Sequence, residues 1–269
     1  MTILTASSVS LRELATVFNQ AFSDYMIEVY FTEPSLDEYV RRHGLDLETS
    51  LVTEADGLMV GLLLCGNDGK TTWNAGMGIH PRWRRKGLGS DLLDAWLESS
   101  RESGIRRALL EVIMQNLVAT NIYRSRDFME VRVYQGFEGR AGWQRGPAIH
   151  PDNLEYVKPG DLASVYRKGH SWQKRPEVME RLDGFRAIRT TPDAPEGAGY
   201  LVYENVTGLM YIFDLTPNKA GRALLEHAIR LETPRVMRMV NAIDLVEEDF
   251  YRKLEFRPWI RNLEMVVQL

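Results

Sequence analysis

The sequence predicts an α/β fold built twice in tandem, each half a mixed, mostly antiparallel central sheet flanked by helices. Three observations carry this reading. Strand-length apolar runs, Ser50 to Thr53, Leu58 to Cys65 and Thr71 to Ile79, are separated by turns containing Asp56-Gly57 and Asp68-Gly69, dipeptides that favour tight antiparallel hairpins. Segments with helical apolar spacing alternate with the strand-like runs. The second half also repeats the first: Tyr251 and Phe256 sit five apart, as do Tyr123 and Phe128.

In chain order, Ile3-Leu4 reads as a short strand and Ser10 as the N-cap of a helix to Ala21, with Glu13 placed for a capping box. Leu11, Leu14, Ala15, Phe18 and Phe22 keep one face of that helix apolar. A loop with Asp24, Tyr25, Glu28 and Tyr30 leads to a second helix near Leu36 to His43. After the three strands comes the stretch that organises the rest, Met77-Gly78-Ile79-His80-Pro81-Arg82-Trp83-Arg84-Arg85-Lys86-Gly87-Leu88-Gly89-Ser90-Asp91. A strand stops at a proline, a basic glycine-bearing turn follows, and a helix starts directly after it. Gly87 and Gly89 let backbone N–H groups and the positive helix end approach an anion, and Arg84, Arg85 and Lys86 add charge, so a pyrophosphate-bearing ligand is expected. The stretch lacks both the GxGxxG of dinucleotide folds and the Lys-Ser/Thr ending of a P-loop.

A helix from Asp91 to Ser103 stops at Gly104, and Ala108 to Ile113 reads as a buried strand. A helix with Tyr123 and a strand from Phe128 to Tyr134 complete the half, and the stretch holding Gly136, Gly139, Gly142 and Gly146 reads as a linker. The expected domains are residues 1–140 and 147–269.

Arg84-x-x-Gly87-x-Gly89 resembles the CoA-pyrophosphate loop of the GNAT superfamily of acyl-CoA-dependent N-acyltransferases, and Met77-x-Ile79-x-Pro81 is similar to that family's preceding strand. Ala119, Tyr123 and Phe128 stand three, seven and twelve positions after Asn116, the family's offsets, with Asp127 where Gly is usual. The resemblance implies an acetyl-CoA-dependent N-acetyltransferase that moves an acetyl group to a primary amine of a small-molecule acceptor by direct transfer in a ternary complex. It implies acetyl-CoA as cosubstrate and no metal. Met77, Gly78, Ile79, Arg84, Arg85, Lys86, Gly87, Leu88, Gly89, Ser90 and Asn116 would form the cofactor side, with the Ile79 N–H polarising the carbonyl. The early helices would line the acceptor side.

Tyr123 is the expected general acid; the alternative is a tyrosine packed on the buried helix face with Ala119. Glu111, a carboxylate in an apolar strand five residues before Asn116, is the candidate base; the alternative is a strand-edge glutamate paired to an arginine. Asp24, Glu28 and His80 are lesser candidates. Trp73 and Trp83 border the cleft or serve as packing. A non-catalytic acyl-CoA-binding regulatory or interaction protein is the alternative function.

The second half keeps the pattern and loses the loop. Helical Asp161 to His170, strands Gly199 to Tyr203, Leu209 to Phe213 and Val236 to Val240, a helix with Leu224 and Leu225, a helix from Glu247 to Lys253 and a strand from Trp259 to Val267 mirror the first half, with Asp244 in the place of Asn116. Eleven residues separate Pro81 from Leu92 but seven separate Pro217 from Leu224, four fewer, and the basic triplet is missing. One competent site, in the first half, is therefore expected beside a degenerate second domain. Two tandem domains supply internally a contact that single-domain relatives obtain by dimerising, which favours a monomer over a homodimer.

Composition sets limits. A net charge of −4 and a pI of about 5.8 argue against a nucleic-acid binder held by phosphate contacts. The single cysteine, Cys65, excludes an intrachain disulfide and reads as an inert core thiol of a cytoplasmic protein. No apolar run is long enough for a membrane helix. His43, His150, His170 and His227 are too scattered for a metal-ligand pattern.

Overall fold

A computed structural model of the chain describes residues 1–140, 149–165, 171–242 and 245–269. The chain forms two compact units, one of Met1–Val112, Asn116–Arg132 and Leu263–Leu269, the other of Ile113–Gln115 and Val133–Asn262.

The first unit holds β1 (Thr2–Thr5), α1 (Leu11–Ala21), α2 (Glu33–His43), β2 (Leu51–Ala55), β3 (Leu58–Asn67), β4 (Thr71–Ile79), α3 (Leu88–Glu102), β5 (Arg107–Ile113), α4 (Leu117–Arg124) and the start of β6 (Met129–Arg140). Strands β1 to β5 lie in chain order. The first three pairings are antiparallel and β4 with β5 is parallel. Asp56 and Gly57 both take positive φ, 52° and 75°, which a type I′ hairpin turn requires.

Helix α1 starts as its sequence dictates. The Ser10 hydroxyl accepts from the Glu13 N–H and the Glu13 carboxylate accepts from the Ser10 N–H, both at 3.2 Å, a reciprocal cap worth about 1 kcal/mol. Helix α3 buries Leu88, Leu92, Leu93, Trp96 and Leu97 in a core shared with Ala108, Leu110 and Val112 of β5. Leu263, Met265 and Val267, from the far end of the chain, belong to that same core. Each fully buried side chain of this size contributes about 1.5–3 kcal/mol. The core also holds Cys65, 1% exposed, whose thiol is pushed up by burial, the inert state expected of it.

The second unit contains the rest of β6, then β7 (Leu154–Val157), α5 (Pro176–Met179), β8 (Arg186–Thr190), β9 (Tyr200–Val206), β10 (Leu209–Leu215), α6 (Lys219–Glu232), β11 (Val236–Ala242), α7 (Leu245–Lys253) and β12 (Arg257–Gln268), whose last residues belong to the first unit. Its strand order is β6-β11-β10-β9-β8-β7, with β10 and β11 parallel. The expected helix from Asp161 is a 3-10 helix over Pro159–Val165, in which Leu162 is the buried residue; the remainder to His170 lies outside the described residues.

The expected linker is corrected in its first half. Gly136 and Gly139 lie inside β6 and pair with β11. Glycine is used there because of close approach: a Cβ at Gly136 would stand 2.6 Å from Ile260 and one at Gly139 2.8 Å from the Phe256 ring. Gly142 and Gly146 lie outside the described residues.

The two units repeat one backbone device. In β4 the register with β3 slips at Ala75, and the parallel pairing with β5 runs only from Thr71–Arg107 to Asn74–Leu110. In β10 the register with β9 slips at Phe213, and the pairing with β11 runs only from Leu209–Val236 to Ile212–Met239. A bulge followed by parting strands opens a gap beside an otherwise closed ladder. Each unit also has a tyrosine five residues before a phenylalanine across a left-handed residue. Asp127 (φ 60°) and Glu255 (φ 61°) take that conformation, and the Phe128 and Phe256 N–H groups donate to the Tyr123 and Tyr251 carbonyls at 3.2 and 3.0 Å.

Candidate functional site

In the first unit β4 and β5 part beyond Asn74–Leu110, and Met77, Gly78 and Ile79 lie on β4 past that point, with Glu111 past it on β5. The His80 N–H donates to the Val60 carbonyl at 2.7 Å and Gly61 stands opposite Ile79. Successive N–H groups of a strand point to opposite edges, so those of Ile79 and Met77 face away from β3, toward the side that β5 has left. Gly78 seats α1: a Cβ there would stand 2.8 Å from Phe22 and 3.0 Å from Ala21.

Directly after β4, a short turn over Pro81–Trp83 is capped by His80, whose Nδ1 accepts from the Arg82 N–H at 3.2 Å. Arg85 and Gly87 take positive φ, 61° and 89°, and Gly87 is the N-cap of α3 without any side-chain cap. The first N–H groups of the helix are thus left for a ligand. Gly89 is the informative residue. It is helical, and a Cβ on it would meet only ordinary contact, 3.7 Å from Ile79, so the protein's own packing does not require a glycine there. A bare backbone at the open end of a helix fits the pyrophosphate of CoA. Leu88 is buried in the core and anchors the turn, while Ser90 closes it by donating its N–H to the Gly87 carbonyl at 2.8 Å.

The basic triplet, alike in sequence, is split in space. Arg84 is a brace: it holds Asp24 through two bonds of 2.6 and 2.7 Å and donates to the Ala21 and Ile79 carbonyls at 2.9 Å each. Lys86 lies over the Trp83 ring, 4.4 Å from its centroid, and Arg85 is exposed. The hydrogen bond from Arg84 holds the Asp24 carboxyl below the usual range, which makes it a poor proton acceptor. Trp73 is buried, 1% exposed, with the His43 ring 5.9 Å away.

Tyr123 and Glu111 reach the gap from its two sides. Tyr123, on α4, is buried against Phe128, ring centroids 5.8 Å apart. Burial pushes its phenol above the ordinary value, with the neighbouring Tyr25 adding to the rise and a hydrogen bond from Asn74 opposing it. The phenol is therefore protonated at neutral pH, as a proton donor must be. Asn116 caps α4 by accepting from the Ala119 N–H at 3.2 Å. Glu111 is the first residue of β5 beyond the last pair with β4. Its neighbours Leu110 and Val112 point into the α3 core, so alternation turns Glu111 to the other face. There it acts electrostatically on Tyr39 of α2, whose phenol is pushed up first by burial and then by this carboxylate, and which donates to the Ala75 carbonyl at 3.1 Å. Sequence reasoning missed Tyr39 and the bracing role of Arg84; no spacing motif marks them, because their partners are distant in sequence.

In the second unit the corresponding helix start is capped. Helix α6 is capped by Asn218, which accepts from the Gly221 N–H at 2.9 Å, and a Cβ on Gly221 would stand 1.8 Å from the Thr216 carbonyl oxygen. Ile212 stands where Asn74 does, at the last parallel pair. Among the described residues no cluster of His, Cys, Asp or Glu could hold a metal, and no helix is long and apolar enough to cross a membrane.

Parting strands beside an open, glycine-bearing helix start form the local architecture of the first unit. Residues 12–128 match the acetyltransferase (GNAT) family. A search of curated protein sequences finds no match. Among solved structures, a tandem GNAT protein from the clavulanic acid biosynthesis pathway is 16% identical, with a TM-score of 0.73 over 99% of this chain and 97% of that one. An acetyltransferase described as putative from Pyrococcus horikoshii is 14% identical, TM-score 0.69, over 100% and 89%. A GCN5-related N-acetyltransferase from Sphaerobacter thermophilus is 13% identical, TM-score 0.68, over 99% and 95%. At these identities the likeness is one of fold, and it extends through both halves of the chain.

Proposed function

We propose that the first unit is an acetyl-CoA-dependent N-acetyltransferase acting on a primary amine of a small molecule, by direct transfer in a ternary complex. The observation that carries this reading is the uncapped end of α3 with a glycine that packing does not demand, one strand gap away from a buried, protonated tyrosine.

In this reading the N–H groups of residues 87–89 hold the pyrophosphate and Arg85 adds charge at the rim. The Ile79 N–H polarises the thioester carbonyl. Glu111 takes a proton from the acceptor ammonium, directly or through water, so that the neutral nitrogen can attack. A C–N bond forms, the C–S bond breaks, the thiolate leaves with the electron pair, and the new amide nitrogen gives its second proton to water. Tyr123 gives its hydroxyl proton to that sulfur and recovers one from solvent. The side-chain cap at the start of α6 supports one acyl-CoA site per chain.

The test is release of free thiol from acetyl-CoA across a panel of amines, run beside calorimetric binding of CoA. Amine-dependent release is expected. Binding of CoA without release would move the reading to a non-catalytic acyl-CoA-binding protein, and absence of any binding to well-folded protein would remove the cofactor assignment. Competition among CoA esters of different chain length reads the acyl preference.

A further inference from the structure

Arg84 opens the basic turn, but its guanidinium is already engaged. Of its N–H donors, Nε donates to the Ile79 carbonyl at 2.9 Å, Nη2 to the Ala21 carbonyl at 2.9 Å and to Asp24 Oδ1 at 2.6 Å, and Nη1 to Asp24 Oδ2 at 2.7 Å. The carboxylate forks onto the guanidinium and matches its charge, so the charge left to a diphosphate is that of its neighbours. What the fork joins is more telling. Ala21 is the last residue of α1, and Asp24 stands at the start of the loop that runs to α2 on the acceptor side. Ile79 is the last residue of β4. In an antiparallel ladder a residue's N–H and C=O point to the same edge, so the carbonyl taken by Arg84 lies beside the Ile79 N–H. At its far end the loop is pinned by Asn19, whose side chain accepts from the Phe31 N–H at 2.8 Å and donates to the Phe31 carbonyl at 2.7 Å. That second clamp belongs to α1, whereas the Arg84 clamp reaches from the loop to β4.

The geometry points to Arg84 as a positioning residue for the amine: it ties the start of the acceptor loop to the end of β4, so that the bound amine and the thioester carbonyl keep one spacing. This inference rests on the first unit acting as an acetyl-CoA-dependent N-acetyltransferase. It moves Arg84 from the cofactor side of the reaction to the acceptor side, and it makes Asp24 the partner of a brace rather than a base. The two side chains are 40% and 53% exposed, and a pair so open to solvent adds little to global stability. Its effect is on where the loop stands, and a misplacement of about 1 Å costs on the order of 10²-fold in rate.

The test compares Asp24→Asn, Asp24→Glu, Arg84→Lys and the double variant Asp24→Asn with Arg84→Lys. Each is measured by steady-state kinetics with an amine that supports thiol release in the parent, by pH–rate profile and by calorimetric CoA binding. Asp24→Asn is expected to lower kcat/KM for the amine at least about tenfold, with CoA affinity and KM for acetyl-CoA within about twofold of the parent. Arg84→Lys keeps the charge but cannot span the carboxylate and both carbonyls, so it should match Asp24→Asn, and the double variant should be no worse than either. Asp24→Glu keeps the carboxylate and should recover most of the loss, and the acidic limb of the pH–rate profile should survive in Asp24→Asn. Parental amine kinetics in Asp24→Asn would overturn the inference alone. A loss of CoA affinity in Arg84→Lys would also overturn it, because it would return Arg84 to the diphosphate, and so would a missing acidic limb in Asp24→Asn, which would make Asp24 the base. A parent that releases no thiol with any amine would instead overturn the transferase reading, and this inference with it. If Arg84→Lys does not fold, Asp24→Asn decides.

Discussion

The two helices that follow the bulged strands, α3 and α6, have the same place in their units and opposite ends. The first turn of α3 is left open above Gly87, with a glycine at position 89 whose missing side chain the protein does not need. The first turn of α6 is closed by Asn218 and by the Thr216 carbonyl, against which Gly221 is the only residue without a clash. Both glycines have a physical cause, but one makes room for a ligand and the other for the chain itself. A repeated fold can therefore keep its bulge, its parting strands and its Tyr-Phe corner while the start of the following helix changes from open to capped.

The comparison can be broken most sharply at the two tyrosines. Tyr123→Phe should lower kcat by about 10²–10⁴-fold, the usual worth of a positioned acid, with CoA affinity nearly unchanged. Tyr251→Phe, in the aromatic cluster with Phe137 and Phe256, should leave turnover as it is. Steady-state assays of both decide whether the acid is confined to the first unit.

The glycines come next, and they separate stability from binding. Gly221→Ala should cost about 1–3 kcal/mol or more, because backbone must move to admit the methyl, and the loss would be read as a lower midpoint in thermal unfolding. Gly89→Ala should be neutral or stabilising by up to about 1 kcal/mol as a better helix former. It should nevertheless weaken CoA at least about tenfold in calorimetry, because the methyl stands where the diphosphate approaches. The reverse pattern would exchange the roles assigned to the two helix ends.

A smaller effect concerns the base. Glu111→Gln should remove the acidic limb of the pH–rate profile while thiol release persists at high pH, where the amine is already neutral. An unchanged acidic limb would assign proton removal to another group.

The smallest effect is a difference in acid stability. Burial, helped by Arg42, lowers the His43 pKa to about 3. The unfolded chain therefore binds a proton that the folded one refuses between that value and the ordinary 6.5. His43 stabilises the neutral-pH fold fully above the unfolded pKa, and that contribution drains away as pH falls, at up to about 1.4 kcal/mol per pH unit. His227, in the second unit, is lowered by partial burial and Arg230 and should act in the same direction but more weakly. Denaturant midpoints of His43→Gln and His227→Gln at pH 7 and pH 5 would measure both slopes.

Much of this was legible in the sequence, for reasons that are local. The Ser10–Glu13 cap, the Asp-Gly hairpins and the Asn116, Tyr123 and Phe128 offsets are short-range patterns, and each formed as its spacing required. Asp127 was legible too, as a residue able to take a left-handed turn. Tyr39 was not, since a lone Tyr in a helix acquires meaning only when β4 brings the Ala75 carbonyl to it. Arg84 was read as one charge in a triplet, although its partner Asp24 lies 60 residues away. Gly136 and Gly139 looked like a linker because glycine signals a loop and a tightly packed strand with the same letter.

The core of the first unit includes Leu263, Met265 and Val267. A ribosome making this protein therefore releases the turn at Gly87, helices α1 and α2 and Tyr123 long before the strand residues that seal their core have been translated. The first unit must wait, incomplete, while the second is synthesised. The order of manufacture makes the second half a prerequisite for finishing the first, whatever has become of its own chemistry.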